Sequence, residues 1–123
     1  MGESPELMTR RTLDEPAVGP AHRWFNRPDS GRWHQPVLSE WELRAACWTD
    51  RHEHDEFNYV LEGELHVESG GVTVVGHTGD VVRVPAGSTG RYWTPSYARM
   101  LAVYGPNPDG TPATECSYQA DPA

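Results

Sequence analysis

Between residues 37 and 104 the chain consists of short runs rich in β-branched and aromatic residues, separated by glycine and proline turns. Eleven prolines and twelve glycines in 123 residues argue against long helices and favour strands joined by turns. The predicted strands are 37–48, 56–61, 64–69, 72–75, 81–84, 91–94 and 98–104. Glu62-Gly63 and Gly70-Gly71 are predicted to be tight turns. The predicted fold class is all-β, and such close spacing is typical of a closed barrel or jelly roll.

The chain length allows one domain with a real core, flanked by two extensions. Residues 1–36 are polar and punctuated by proline and glycine, which predicts an N-terminal arm. Trp24 and Trp33 lead us to expect that this arm packs on the barrel or on a partner subunit. Residues 37–105 form the predicted barrel, and 106–123 a loose C-terminal tail. For residues 38–46, LSEWELRAA, a helix is the competing prediction.

Most of the side chains suited to chemistry lie in residues 50–65, DRHEHDEFNYVLEGEL. Side chains of an extended chain alternate between two faces, so every second residue from position 50 shares one face. That face carries Asp50, His52, His54, Glu56, Asn58 and Val60. Imidazole and carboxylate groups placed in this way can converge on one divalent ion such as Mn, Fe, Ni or Zn. The alternative is a set of solvated loop residues that precede a strand.

Composition excludes several classes of partner. Eighteen acidic residues against ten Lys and Arg give a net charge of −8, with no basic cluster to follow a phosphate backbone. The chain has no apolar run long enough to span a bilayer, and residues 1–11 lack the apolar core of a secretory signal. We therefore expect a cytoplasmic protein that binds neither nucleic acid nor membranes. Cys47 and Cys116 are interpreted as free thiols.

Two motifs resemble those of the cupin superfamily. EFNYVLEG at 56–63 is similar to the end of the first cupin motif, in which two histidines and a glutamate precede a YVLxG strand end. GDVVRVPAGSTGRYWT at 79–94 is similar to the second motif. The phrases DExxYVLEG and GDxxxxPAG most resemble the subgroup of ureidoglycine aminohydrolases and ethanolamine-utilisation cupins. The resemblance implies a small double-stranded β-helix, or jelly-roll, barrel whose lumen holds a metal or a ligand.

The family's ligand set can be carried onto this chain in two ways. The usual spacing back from Glu56 puts His52 at the second histidine position and Asp50 at the first, with His54 left over. Alternatively, His52 and His54 form the histidine pair, with a shorter link to Glu56. In both cases Gly90 stands where the resemblance implies a third histidine, and Thr94 stands where it implies an asparagine.

Further candidates surround this predicted site. We predict catalytic roles for Glu56, Asn58, Arg91 and Tyr92: Asn58 shares the face of Glu56, and an inward Arg91 could bind a carboxylate. An outward Arg91, solvating the rim, is the alternative. His66 and His77 are predicted to face outward or lie at a turn.

Three functional hypotheses follow. The first is a metal-dependent enzyme that acts on a small polar metabolite by lyase, isomerase, cyclase or hydrolase chemistry. The second is a metal-free cupin that binds or senses a small molecule without catalysis. The third is an accessory subunit that associates through its aromatic arm. We expect a homodimer.

Overall fold

Nine antiparallel strands and no helix make up the residues that the computed structural model describes, 4–27 and 31–120. The strands are β1 (Ala21–Trp24), β2 (Val37–Arg44), β3 (Ala46–Arg51), β4 (Glu56–Ser69), β5 (Val72–His77), β6 (Val81–Val84), β7 (Thr89–Trp93), β8 (Tyr97–Tyr104) and β9 (Thr114–Ala120). The all-β prediction is confirmed. The helix considered for residues 38–46 is wrong, because β2 is hydrogen-bonded on both edges, to β1 and to β8. The described residues contain no helix long and apolar enough to cross a bilayer.

Strand β4 runs straight through the position of a predicted turn. Its first part pairs with β6 and β8, and its second part pairs with β5 and β7. The register with β8 shifts between Val60 and Glu62, and Gly63 has a φ of 80°. A Cβ atom at Gly63 would collide with the carbonyl oxygen of Tyr97, so only glycine fits there. The glycine therefore bends one long strand into both layers and does not reverse the chain.

The strands curl into a jelly-roll barrel. Their order is β1-β2-β8-β4-β7-β3-β9, with β5 and β6 also paired to β4. Alternate residues of these strands point inward and form one hydrophobic cluster, as the period of two requires. Its fully buried members include Leu43, Val60, Leu65, Met100 and Ala102. This cluster fills one part of the barrel and leaves a cavity beside it.

The two terminal extensions each add an edge strand to the barrel. β1 pairs with β2, and Arg23 forms a buried ion pair of 2.7 Å with Glu40. The tail beyond Gly105, predicted to be loose, contains β9, which pairs with β3. Tyr118 on β9 packs against the hydrophobic cluster, and this contact stabilises the ordered conformation of the tail.

The link between β3 and β4 carries the chemistry-bearing residues. β3 ends at Arg51 and β4 begins at Glu56, so residues 52–55 interrupt the single extended stretch that alternation predicted. Backbone hydrogen bonds hold the link at both ends: Gly87 donates to the carbonyl of His52, and Gly105 donates to that of Asp55. The end of β3 thus supplies Asp50, the link supplies His52, and the start of β4 supplies Glu56.

Candidate functional site

A cavity of about 770 Å³ opens beside the hydrophobic cluster. Its polar lining includes Asp50, His52 and Glu56, and its walls include the aromatic rings of Trp24, Trp33, Trp48 and Tyr104. Residues of the arm and of the segment between β8 and β9 complete the rim. The volume lies within the range of ordinary small-molecule sites. An aromatic wall around a few converging polar groups is what such sites have in common.

His52 and Glu56 form a fully buried pair in this lining. His52 Nε2 donates to Glu56 Oε1 at 3.1 Å, and His52 Nδ1 donates to the carbonyl oxygen of His54 at 2.9 Å. The second oxygen of Glu56 accepts a hydrogen bond of 2.7 Å from Asn58, whose own oxygen accepts one of 2.8 Å from Trp41 Nε1. The interpretation of these residues as a solvated loop is therefore wrong: His52 and Glu56 are each 3% exposed.

The hydrogen bonds of His52 indicate a protonated ring. Both of its nitrogens face oxygens that can only accept, a carbonyl and a carboxylate, so each nitrogen must carry a hydrogen. Burial alone would lower the pKa of His52, but the hydrogen bond and charge of Glu56 raise it to about 9. Burial would likewise raise the pKa of Glu56, yet the bond from His52 holds it below its ordinary value. The pair is thus imidazolium and carboxylate at neutral pH.

Asp50 lies next to this pair without sharing in it. Its Oδ1 atom is buried, lacks a hydrogen-bond partner and is 3.8 Å from His52 Nε2. Burial, followed by the charge of Glu56, raises the pKa of Asp50 to about 6. The charge of His52 and a hydrogen bond with Trp48 offset this rise only in part. A largely buried acid in such surroundings destabilises the fold, and such groups concentrate at functional sites.

His54 belongs to the site through its ring face. Its imidazole stacks on that of His52 with 4.1 Å between centroids and 3° between planes. Burial and the charge of His52 lower the pKa of His54, so it stays neutral at neutral pH. Because the two rings lie in parallel planes, their nitrogens do not converge on one point. The structure therefore groups Asp50, His52 and Glu56, and it leaves His54 as a stacking partner.

Comparison with known proteins identifies the family. The family described as Cupin domain matches residues 37–104, which run from the start of β2 to the end of β8. The chain belongs to the cupin family. The jelly-roll barrel that the resemblance implied is thereby confirmed.

Curated relatives and solved structures of other proteins support the assignment to the cupin family. Two curated proteins named acetate kinase EutQ are each 40% identical to this chain, over 67 residues in Salmonella typhimurium and 78 residues in Escherichia coli. These matches cover 54% and 63% of this chain but only 28% and 33% of the relatives, so the cupin spans about a third of their length.

Among solved structures, an ethanolamine utilization protein Q of Salmonella typhimurium LT2 is 31% identical, with a TM-score of 0.59 over 71% of this cupin and 69% of that chain. An RmlC-like cupin from Shewanella frigidimarina is 21% identical, with a TM-score of 0.68 over 84% of this cupin and 93% of that chain, and shows the fold alone.

The Tyr92 side chain fills the space beside Gly90, where the resemblance implies a third histidine. Gly90 lies directly opposite Asp50 on the neighbouring strand, and a Cβ atom at Gly90 would be 2.6 Å from the hydroxyl of Tyr92. The Tyr92 ring therefore folds over Gly90 and fills the space that a side chain there would need. Its hydroxyl is buried near Glu56, and burial, followed by the charge of Glu56, raises its pKa well above the usual value.

Of the four predicted catalytic residues, only Glu56 lines the cavity; Tyr92 belongs to the hydrophobic cluster, and Arg91 and Asn58 are turned elsewhere. Arg91 is exposed on the outer face, with its guanidinium 4.6 Å over the ring of Trp93, because its neighbour Tyr92 points inward and adjacent residues alternate. The amide nitrogen of Asn58 donates a hydrogen bond to Glu56, and its amide oxygen accepts one from Trp41. Asn58 is accordingly a positioning residue, and Arg91 belongs to the surface.

The arrangement of the cupin's site residues does not match a metal cage. In residues 4–27 and 31–120, no group of three or more His, Cys, Asp or Glu side chains is placed to hold a metal ion. His52 Nε2 is engaged with Glu56, and the His54 ring lies parallel to it. A metal ligand needs a free nitrogen lone pair, so an ion bound at His52 would require the ring to lose a proton and to release Glu56. These contacts directly support proton transfer by the side chains themselves.

Sequence reasoning missed most of the cavity wall. Trp24 packs on Tyr104 with ring centroids 5.8 Å apart, and Trp33 lies 5.4 Å from the His54 ring. Large aromatics within the polar arm were the available signal, but alternation within one stretch cannot show which distant segments share a cavity. His66 and His77 lie outside this cavity and face Glu64, at 2.8 Å and 3.4 Å.

Proposed function

We propose that this cupin binds a small polar metabolite in its lumen and that His52 with Glu56 performs acid–base chemistry on it. The observation that carries the proposal is the buried hydrogen bond of 3.1 Å between these two side chains in the lining of a cavity whose walls include several aromatic rings. A structural core has no need of an ion pair at this position, since apolar residues would fill it at lower cost. A site that moves protons does need one.

The geometry assigns a role to each group. His52 holds a proton at Nε2 against Glu56, and it can pass this proton to a ligand atom that reaches the same side of the ring. Glu56, fixed by Asn58, keeps the imidazolium oriented while it does so. With a pKa of about 6, Asp50 is ionised at neutral pH and can accept a proton from the ligand. Isomerisation, elimination and hydrolysis all require such paired transfers.

A metal-dependent cupin enzyme is the second candidate, and the unpaired Oδ1 of Asp50 favours it. Two carboxylates and one imidazole are a donor set that suits Mn, Fe, Ni or Zn. Asp50, His52 and Glu56 would hold the ion, which would act as a Lewis acid. This candidate requires His52 to lose a proton and to release Glu56. Binding without turnover would instead support a sensor.

The activity named for the curated relatives is not transferred to this chain. The match covers about a third of those proteins. Beside the His52–Glu56 pair, Asp50 is an unpaired acid, which would repel an anionic phosphate bound next to it.

Two measurements test the proposal. Mass spectrometry of the protein purified without added ions separates the candidates, because the acid–base site predicts no stoichiometric metal and the second candidate predicts one ion per chain. A thermal-shift screen of polar metabolites, followed by turnover assays on the compounds that bind, then tests function.

His52→Gln should abolish ligand binding or turnover. His66→Gln is the matched control, because His66 also pairs with a carboxylate, Glu64, but on the outer surface. Equal activity in both variants would refute a role for the lumen.

A further inference from the structure

We propose that the ligand of this cavity is a small organic cation with a primary ammonium group, bound by the Asp50 carboxylate within a set of aromatic side chains. The inference rests on the proposed function, because it takes the lumen to be the binding site. It goes further by naming the chemical class that the lumen selects.

The formal charges of the group formed by Asp50, His52 and Glu56 do not balance. Glu56 and His52 neutralise each other through their hydrogen bond, and Asn58 satisfies the remaining oxygen of Glu56. Asp50 is left over: its Oδ1 has no hydrogen-bond partner, and His52 Nε2 lies 3.8 Å away, beyond hydrogen-bond distance. By formal charge the group carries one negative charge in excess. A buried charge of this kind favours a ligand that brings the opposite charge.

The walls suit a cation as well. Trp24, Trp33, Trp48 and Tyr104 all line the cavity, and the negative faces of aromatic rings attract a cation within about 6 Å. The Trp33 ring is held in place, because its Nε1 donates to the carbonyl of Gly105 at 3.0 Å. A ligand therefore meets rings that need little reordering, which lowers the entropic cost of binding.

One cation of the chain already uses this wall. Arg27 also lines the cavity, and its exposed side chain places the guanidinium carbon 5.4 Å from the centre of the Trp24 ring. The contact belongs to an exposed side chain, whereas the side chain of Asp50 is 13% exposed. This contact shows that the Trp24 ring accepts a positive group.

The same features disfavour other ligand classes. A carboxylate or phosphate would be repelled by Asp50, whose charge is not neutralised. A neutral alcohol could donate a hydrogen bond to Asp50 but would leave its charge uncompensated. A quaternary ammonium would gain from the rings, yet it has no N–H to give to the unpaired oxygen. A primary ammonium meets both requirements.

Isothermal titration calorimetry with matched probes tests the inference. n-Butylamine, n-hexylamine and phenethylamine are each compared with the alcohol, the carboxylate and the trimethylammonium derivative of the same skeleton. Because a hydrogen bond to a charged group is involved, each amine should bind about tenfold or more tightly than its alcohol. The carboxylates should not bind.

Two variants locate the effect. Asp50→Asn should weaken amine binding about tenfold or more and leave alcohol binding within about twofold. Glu53→Gln removes the same charge from an exposed side chain outside the lining, so it should leave both affinities unchanged.

Three results would overturn the inference. The first is alcohols or carboxylates that bind as tightly as the amines; if that binding disappears in His52→Gln, the proposed function survives without its cationic ligand. The second is amine affinity that does not change in Asp50→Asn. The third is that none of the probes binds. In that case the thermal-shift screen of polar metabolites tests the proposed function independently.

Discussion

Replacing Asp50 by asparagine should make the protein more stable. Asp50 is buried beside Glu56, and the rise of its pKa from 3.8 to about 6 means that its ionised form is penalised in the folded state. A rise of this size corresponds to about 3 kcal/mol of unfolding free energy, which asparagine would recover because it has nearly the same shape and no charge.

The pH dependence gives this prediction its sign. An acid whose folded pKa is raised costs nothing while it is protonated in both states. The cost grows as the pH rises from the unfolded pKa of 3.8 to the folded value of about 6, and it is complete above that. The stability gain of Asp50→Asn should therefore reach its full size by about pH 8 and vanish near about pH 4.

Urea denaturation of both proteins across this pH range measures the effect. Glu53→Gln is the control: its carboxyl group is exposed, and its stability should stay within about 0.5 kcal/mol of the parent. A gain that persists at low pH would show that burial of charge is not the cause. A loss of stability at high pH would mean that Asp50 binds something in the purified protein, such as a metal ion.

The remaining predictions concern the structure around the site. Gly90→Ala should cost about 1–3 kcal/mol, because its Cβ would press on the buried Tyr92 ring, and Tyr92→Leu in the same chain should relieve part of that cost in a double-mutant cycle measured by denaturation. Additive costs would refute the contact. Arg23→Ala should lower the free energy of unfolding by about 1–3 kcal/mol, because it leaves Glu40 with Arg99 alone; an unchanged melting curve would contradict a buried pair. A homodimer stays a prediction. If the subunits meet at the exposed face of β4, Tyr59→Lys should make the protein monomeric, as measured by light scattering. A dimer that persists in this variant would exclude that face.

Alternation of side chains explains what the sequence could reveal of the site. Glu56 points into the barrel because it begins β4, in whose first part the even positions face inward, and this much follows from a period of two. His52 lies in the link between β3 and β4, where its backbone is held by the hydrogen bond from Gly87 and not by strand alternation. The same rule puts Arg91 and Tyr92 on opposite faces, but it cannot tell which of the two points inward. That choice depends on Gly90, whose missing side chain makes room for the Tyr92 ring.

Long-range pairing accounts for what the sequence could not reveal. Gly63 reads as a turn from local composition, yet it bends a continuous strand because the Tyr97 carbonyl approaches it from β8. β9 forms because β3 offers it a free edge, a partner more than sixty residues earlier in the chain. The cavity wall depends on the same kind of contact, since Trp24 and Tyr104 meet only once the arm has paired with β2. Local patterns carry no information about such partners.

The protonation state of His52 tests the central claim most directly. NMR titration of the imidazole resonances, in protein as purified, follows His52 and its stacked neighbour His54 separately. We expect His52 to stay an imidazolium through neutral pH and to lose its proton near pH 9, whereas His54 titrates below its ordinary value. A neutral His52 ring at neutral pH, or one that does not titrate because a metal ion holds it, would contradict an acid–base site built on the His52–Glu56 pair.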